Sequence, residues 1–175
     1  MLTNQEADDL IALPKQIIVG GNALGATMLR LPGGQAKYRL RSDQDEDISF
    51  LMEITQATKG PNKGLKMSLH FQEDDEKIGL LRVDYFGQHQ NLSEVTAHLP
   101  ADLIPYAGMW FRYEDHHIHR YVQGYKNLAW AIPLENDDFP YKQVTARNEV
   151  YPVAQAFGAR INLQTQFRGY QNALA

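Results

Sequence analysis

Histidine and tyrosine alternate over one short stretch, His117-Ile118-His119-Arg120-Tyr121, and Gly124-Tyr125 and Trp130-Ala131-Ile132-Pro133-Leu134 follow soon after. Side chains on a β-strand alternate with period two, so His117, His119 and Tyr121 are expected to share one face. Two imidazoles so placed can hold one metal ion as neutral nitrogen ligands. They can work as general acid and base, since an unperturbed pKa of about 6.5 lets histidine gain or lose a proton near neutrality. They can also grip a phosphate as donors. The plain alternative is a solvated sheet face; clustering of titratable groups is what lifts the pair above it.

The metal version meets an obstacle in the neighbouring residues. Strand sites of the cupin kind follow His-x-His with a Glu and later a further His. Here Arg120-Tyr121-Val122-Gln123 supplies no Glu, and Glu114-Asp115 precede the histidines. His89 or His98 would have to complete the set. A second group lies upstream, Arg82-Val83-Asp84-Tyr85-Phe86-Gly87-Gln88-His89-Gln90-Asn91. Arg82 and Asp84 share a strand face, and His89 and Asn91 follow a bend at Gly87. Arginine forks onto phosphate or carboxylate, and histidine with asparagine can orient a reacting group. The alternative is an Arg82–Asp84 surface ion pair, which contributes little.

Other matches fail on inspection. Gly20-Gly21-Asn22-Ala23-Leu24-Gly25 has the glycines of a phosphate loop without its Gly-Lys-Ser/Thr ending. Asp43, Asp45 and Asp47 begin like a calcium loop, but Ile48 replaces the required Gly and Ile54 the closing Glu. That segment is expected to be a hairpin turn. Lys59, Lys63 and Lys66 read as a solvated turn. Asn91-Leu92-Ser93 matches a glycosylation sequon with no secretory context to support it.

The elements that must position these residues come from pattern and composition. A chain of 175 residues suits one domain with a real core, residues 1–175. With 43% hydrophobic and 22% charged residues it reads as globular. A formal charge of −4 argues against coating nucleic acid by bulk electrostatics, though a local basic groove stays open. The chain has no cysteine, which removes disulfides, thiolate nucleophiles and Cys-type zinc sites and fits a reducing cytosol. The start is acidic, unlike a signal peptide, and no apolar run spans a bilayer. A cytoplasmic protein without membrane contact is expected, and no motif requires a cofactor.

Thr3 and Glu6 form a capping box, so a helix should run over Asn4–Ala12 with Leu10 and Ile11 inward and Pro14 as the stop. Strands are expected over 17–19, 27–31, 36–41, 48–55, 65–71 and 78–85, joined by polar turns at 42–47, 59–64 and 72–77. Residues 86–115 mix helix breakers with apolar side chains, an ordered excursion that packs on the body or covers the site. A second hairpin spans 116–122 and 128–134. A helix over 142–157, interrupted by Pro152, and an edge strand after Ile161 complete the chain. The fold class is α+β: a curved antiparallel sheet, six to eight strands, a meander open to partial barrel closure, with an N-terminal and a C-terminal helix packed on it.

The run His117-x-His119-x-Tyr121-x-x-Gly124-Tyr125, then Trp130-Ala131-x-Pro133-Leu134, resembles an uncharacterised bacterial and phage family, domain of unknown function 6978. Its signature reads His-x-His-x-Tyr-x-Glu-Gly-Tyr, then Trp-Ala-x-Pro-Leu. Leu2-Thr3-x-x-Glu6-Ala7-Asp8 through Leu13-Pro14-Lys15 looks like that family's start, and Arg82-x-Asp84-x-x-Gly87-x-His89-x-Asn91 is similar to its Arg-Leu-Asp…Gly…Pro-His-x-Asn segment. Gln88 and Gln123 stand where the family carries Pro and Glu. The resemblance sharpens the residue list and implies no activity.

Three functional classes follow. The first is a metal-independent phosphodiester or RNA-processing enzyme, or a nucleotide binder, of a mobile-element or toxin/defence system. His117 and His119 would be acid and base, Arg82 the charge stabiliser, and His89 and Tyr121 would orient the phosphate. Asn91, Tyr125, Trp130 and Asp84 would line the substrate. The second is a non-enzymatic interaction or inhibitor protein, with Met109, Trp110 and Phe111 as the contact surface. The third is a mononuclear metal protein using His117, His119 and His89.

Overall fold

The computed structural model describes residues 1–57, 64–73, 75–145 and 149–171. Its first element is α1 (Asn4–Ala12), opened by the expected capping box: the Thr3 amide donates to Glu6 Oε2 at 2.7 Å and the Glu6 amide to Thr3 Oγ1 at 3.1 Å. Ala7 and Leu10 are buried, and Ile11 packs at the margin of the core. Pro14 lies just past the end, where it cannot extend the helix.

Strands β1 (Gln16–Val19), β2 (Asn22–Leu24), β3 (Ala26–Arg30), β4 (Gln35–Arg41), β5 (Ser49–Gln56), β6 (Leu65–Glu73) and β7 (Glu76–Tyr85) follow. Next come β8 (His89–Gln90), β9 (Trp110–Phe111), β10 (His117–Arg120) and β11 (Trp130–Pro133), then α2 (Val150–Arg160) and β12 (Gln166–Gln171). Eight strands form one sheet in the order β11-β10-β7-β6-β5-β4-β1-β2, every pairing antiparallel. The sheet is open, so the meander curves without closing into a barrel. Gly20 and Gly21 are the two residues of the β1–β2 turn; their φ values of +56° and +82° suit a hairpin turn that glycine adopts freely.

Register places two kinds of row across this sheet. Ala36, Ile54, Met67, Val83, Ile118 and Ile132 are successive cross-strand neighbours and form an apolar row. The adjacent row is Lys37, Glu53, Ser68, Arg82 and His119. Adjacent rows face opposite ways because the strand period is two. The apolar face joins the buried core with Ala7 and Leu10 of α1 and Val153, Ala154 and Phe157 of α2. The polar face carries the candidate site.

Three expectations need correction. The C-terminal helix starts at Val150, not near 142; residues 142–145 are not helical, and 146–148 lie outside the described residues. Pro152 sits in its first turn, where an amide would have no intrahelical partner, so it neither kinks nor breaks the helix. The last strand does not extend the edge of the main sheet. β12 pairs in parallel with β3 as a separate two-stranded sheet. The 72–77 turn is also tighter than expected, because β6 and β7 pair out to Glu73 and Glu76. The expected 59–64 turn, with Lys59 and Lys63, falls almost wholly outside the described residues.

Residues 86–115 are the ordered excursion the composition implied. β8 pairs with β9, and Leu99, Leu103 and Phe111 are buried against the body. No helix among the described residues is long and apolar enough to cross a membrane.

Candidate functional site

β10 lands beside β7 with His117 opposite Asp84 and His119 opposite Arg82. That register brings the two sequence groups together. His117 and His119 have no exposed surface, Asp84 is 3% exposed, and Arg82 keeps about a quarter of its side chain in solvent (23%). The Arg82 guanidinium lies along the carboxylate: Nε donates to Asp84 Oδ2 at 3.0 Å, and Nη2 lies 2.9 Å from the same oxygen. Nη2 also meets His119 Nε2 at 2.7 Å. His119 Nε2 lies 3.2 Å from Asp84 Oδ2, and His117 Nε2 lies 3.6 Å from it.

Both rings are pinned from behind. His119 Nδ1 is 2.7 Å from the Leu128 carbonyl, and His117 Nδ1 is 2.7 Å from the Asp115 carbonyl. A carbonyl only accepts, so each Nδ1 is the donor, and each Nε2 turns inward toward Asp84. Burial pushes the His119 imidazole down to about 4, against the pull of Asp84, so the ring is neutral and its Nε2 accepts from Arg82. Burial raises the Asp84 carboxyl, but the Arg82 guanidinium bound to Oδ2 outweighs that and holds it well below the usual carboxylate range. His117 Nε2 and Asp84 Oδ1 are buried without a hydrogen-bond partner.

His89 joins the group from β8. Its ring centroid is 4.5 Å from that of His119 and 5.9 Å from that of His117. Its Nε2 is already committed, at 3.0 Å from the Ala129 carbonyl and 3.1 Å from Asn91 Oδ1. Burial lowers its pKa. Asn91 is likewise committed, to the backbone of Tyr106 and Ala131.

The remaining sequence candidates lie elsewhere. β10 ends at Arg120, and the Tyr121 hydroxyl donates to the Leu2 carbonyl at 2.7 Å, so it does not join the histidines. Trp130 is fully buried on the opposite face, one residue out of phase with Ala131, and packs edge-on against Tyr125 at 5.4 Å. The Tyr125 hydroxyl donates to the Glu94 carbonyl and accepts the Thr96 amide. Met109 and Trp110 are exposed, but Phe111 is buried, 4.6 Å from the His117 ring. Residue reading missed that Asp84 meets the histidines, because nothing local in 82–91 reports a partner strand beginning at 117. It also missed Ser68, His70 and Glu53 further along the polar row. His70 Nε2 lies 3.0 Å from Ser68 Oγ and 3.1 Å from Glu53, and Lys37 pairs with Glu53 at 2.9 Å. Period-two spacing of Ser68 and His70 was the available signal.

Chemically, a buried carboxylate and the neutral His119 imidazole hold one arginine at the surface, with the His117 ring beside them. The two histidines cannot meet a substrate in this arrangement; Arg82 and His89 can. A family model described as a family of unknown function (DUF6978) matches residues 2–163. No curated protein and no solved structure matches the chain.

Proposed function

We propose that the chain, which belongs to the family of unknown function DUF6978, binds a phosphate-bearing ligand of the ribonucleotide or RNA class at Arg82. The observation that carries this reading is the anchoring of the guanidinium. Asp84 and His119 take Nε and Nη2, while Nη1 has no partner among the described residues. An arginine fixed on one edge and open on the other has already lost much of the rotamer freedom that binding would cost. In this reading Asp84 and His119 hold Arg82 from beneath, and neither His117 nor His119 acts as acid or base on the substrate. His89, partly exposed beside them, is the imidazole available to the ligand.

The test is calorimetric titration with inorganic phosphate, a ribonucleotide and a short single-stranded RNA, repeated on Arg82→Gln. A hydrogen bond to a charged group contributes about 1.5–3 kcal/mol, so the variant should bind about 10- to 100-fold more weakly. Absence of binding by all three ligands, or equal binding by the variant, overturns the reading. Cleavage of the RNA during incubation would extend it from binder to enzyme, with His89 as the proton-transfer group.

A second reading, an interaction protein, has its own support. Trp110 is 53% exposed and lines a cavity of about 350 Å³ with Glu114, Asp115, Glu135 and Lys142, the last with its ammonium held by the Leu134 and Asp137 carbonyls. An aromatic face with acidic neighbours suits a basic side chain of a partner. Phe111 also lines that cavity, although almost none of its ring is exposed. Binding of an arginine-rich peptide that Trp110→Ala abolishes would favour this reading.

A further inference from the structure

We propose that Asp84, His117 and His119 form a site for a divalent transition-metal ion of the zinc class, which the Arg82 guanidinium fills in the metal-free chain. The metal site shares its cluster with the anion reading but does not need that reading to hold.

The distances carry the first part. Zinc binds histidine nitrogen and carboxylate oxygen at about 2.0–2.2 Å, so two ligand atoms on a tetrahedral ion lie roughly 3.3–3.6 Å apart. Asp84 Oδ2 lies 3.2 Å from His119 Nε2 and 3.6 Å from His117 Nε2, and the three ligand atoms all fall within 4.8 Å of one another. Two nitrogens and one oxygen match borderline ions such as Zn²⁺, Co²⁺ and Ni²⁺, with a fourth position left for water or an anion.

The surroundings carry the second part. Metal-bound histidines as a rule donate their other ring N–H to a carbonyl or carboxylate, which fixes the tautomer and turns the lone pair on the metal. Both imidazoles do so here, to Asp115 and Leu128. His117 Nε2 nevertheless has no hydrogen-bond partner, and neither does Asp84 Oδ1, although both are buried. With Nδ1 already given to the Asp115 carbonyl, His117 Nε2 faces Asp84 at 3.6 Å, too far for a good hydrogen bond and close to the spacing of two ligands on one cation.

Arg82 supplies a cation to only part of this cradle. Its Nη2 reaches His119 Nε2 and Asp84 Oδ2 and leaves His117 unserved. Guanidinium and metal therefore compete for the same two acceptors, and the partly exposed arginine has room to swing out. His89 is not a ligand, because its Nε2 is held by Ala129 and Asn91.

The experiment is titration of the full chain with Co²⁺ alone, followed by visible absorption, then displacement by Zn²⁺. One equivalent of Co²⁺ should give a ligand-field band that Zn²⁺ bleaches. Arg82→Met, which removes the competitor, should bind Co²⁺ at least about tenfold more tightly, the equivalent of one modest charge-assisted contact. His117→Ala should bind more than about 100-fold more weakly. No band in either the unmutated chain or Arg82→Met overturns the site, and that outcome holds whether or not His117→Ala folds. A band of unchanged affinity in Arg82→Met overturns the competition, and one unchanged in His117→Ala overturns the ligand set. Failure here is separable from failure of the anion reading: RNA affinity lost in Arg82→Gln with no Co²⁺ band removes the metal alone, and the reverse removes the anion alone.

Discussion

Asn91 completes the edge of β11 through Ala131: its side-chain N–H donates to the Ala131 carbonyl at 2.8 Å, and its side-chain oxygen accepts the Ala131 amide at 2.9 Å. One amide does here what a neighbouring strand would do for an edge. The Nδ2 group also donates to the Tyr106 carbonyl at 2.9 Å, so residues 86–115 are fastened to the sheet beside the histidines. With its side chain buried and engaged, Asn91 is also a closed glycosylation position in the folded chain.

Asn91→Asp keeps the shape and removes both donors, facing a carboxylate toward two carbonyls. We expect it to cost about 3 kcal/mol or more. Urea unfolding of the two proteins, compared by midpoint, measures this; a loss below about 0.5 kcal/mol would mean the pairing contributes nothing.

Gly79 is a second position with no freedom. A Cβ built there would lie 2.7 Å from Leu128 Cδ1 and Cγ. Leu128 is buried, holds a φ of +53°, and lends its carbonyl to His119. Gly79→Ala should destabilise by about 1–3 kcal/mol through overpacking, and adding Leu128→Ala should cost less than the two single effects summed. Additive losses in thermal melts would show that the two sites do not touch.

Much of the frame was readable in the residues, for stated reasons. Thr3 and Glu6 carry a capping box within four residues, alternation over 36–41 reports a half-buried strand directly, and the β-formers of 78–85 report a strand that is buried on both faces. The pairing of β10 with β7 was not readable, since no local signal tells His117 that it will face Asp84. Thus Asp84 looked like a surface partner of Arg82, although it is the centre of the cluster. Trp130 misled in the other direction: a buried aromatic on the core face is the ordinary fate of tryptophan, and its motif invited a ligand role. Pro152 was read as an interruption because its position within the helix depends on where α2 starts.

Lys15 ties the two helices at their ends. Its fully buried ammonium donates to the carbonyls of Ile11 at 2.9 Å, Leu13 at 2.7 Å and Ile161 at 3.1 Å, with the Phe50 ring 4.6 Å away. Burial pushes its pKa down to about 7, from about 10.4 in an unfolded chain. Between those values the unfolded chain binds the extra proton, so this group's contribution to stability rises with pH from about 7 to 10.4 and is flat below. The gain is on the order of a few kcal/mol. Urea midpoints at pH 6, 8 and 9.5 should rise more steeply in the unmutated chain than in Lys15→Met; parallel curves would refute it.

Tyr121→Phe separates structure from ligand binding. The hydroxyl's bond to Leu2 should make the loss about 0.5–1.5 kcal/mol in stability. Phosphate and RNA affinity should stay unchanged in the same calorimetric titration. A drop in affinity at unchanged stability would return Tyr121 to the site.

The parallel pairing of β3 with β12 has a consequence for the chain as it is made. Ala26 waits for Gln166, and Lys15 and Ile17 wait for partners at Asn162 and Thr165. A ribosome delivers those partners long after the first strands, which leave the tunnel with one flank unpaired until then. Nascent chains arrested before residue 160 should be digested by protease over their opening segment, and chains from which residues 162–171 have emerged should be protected there.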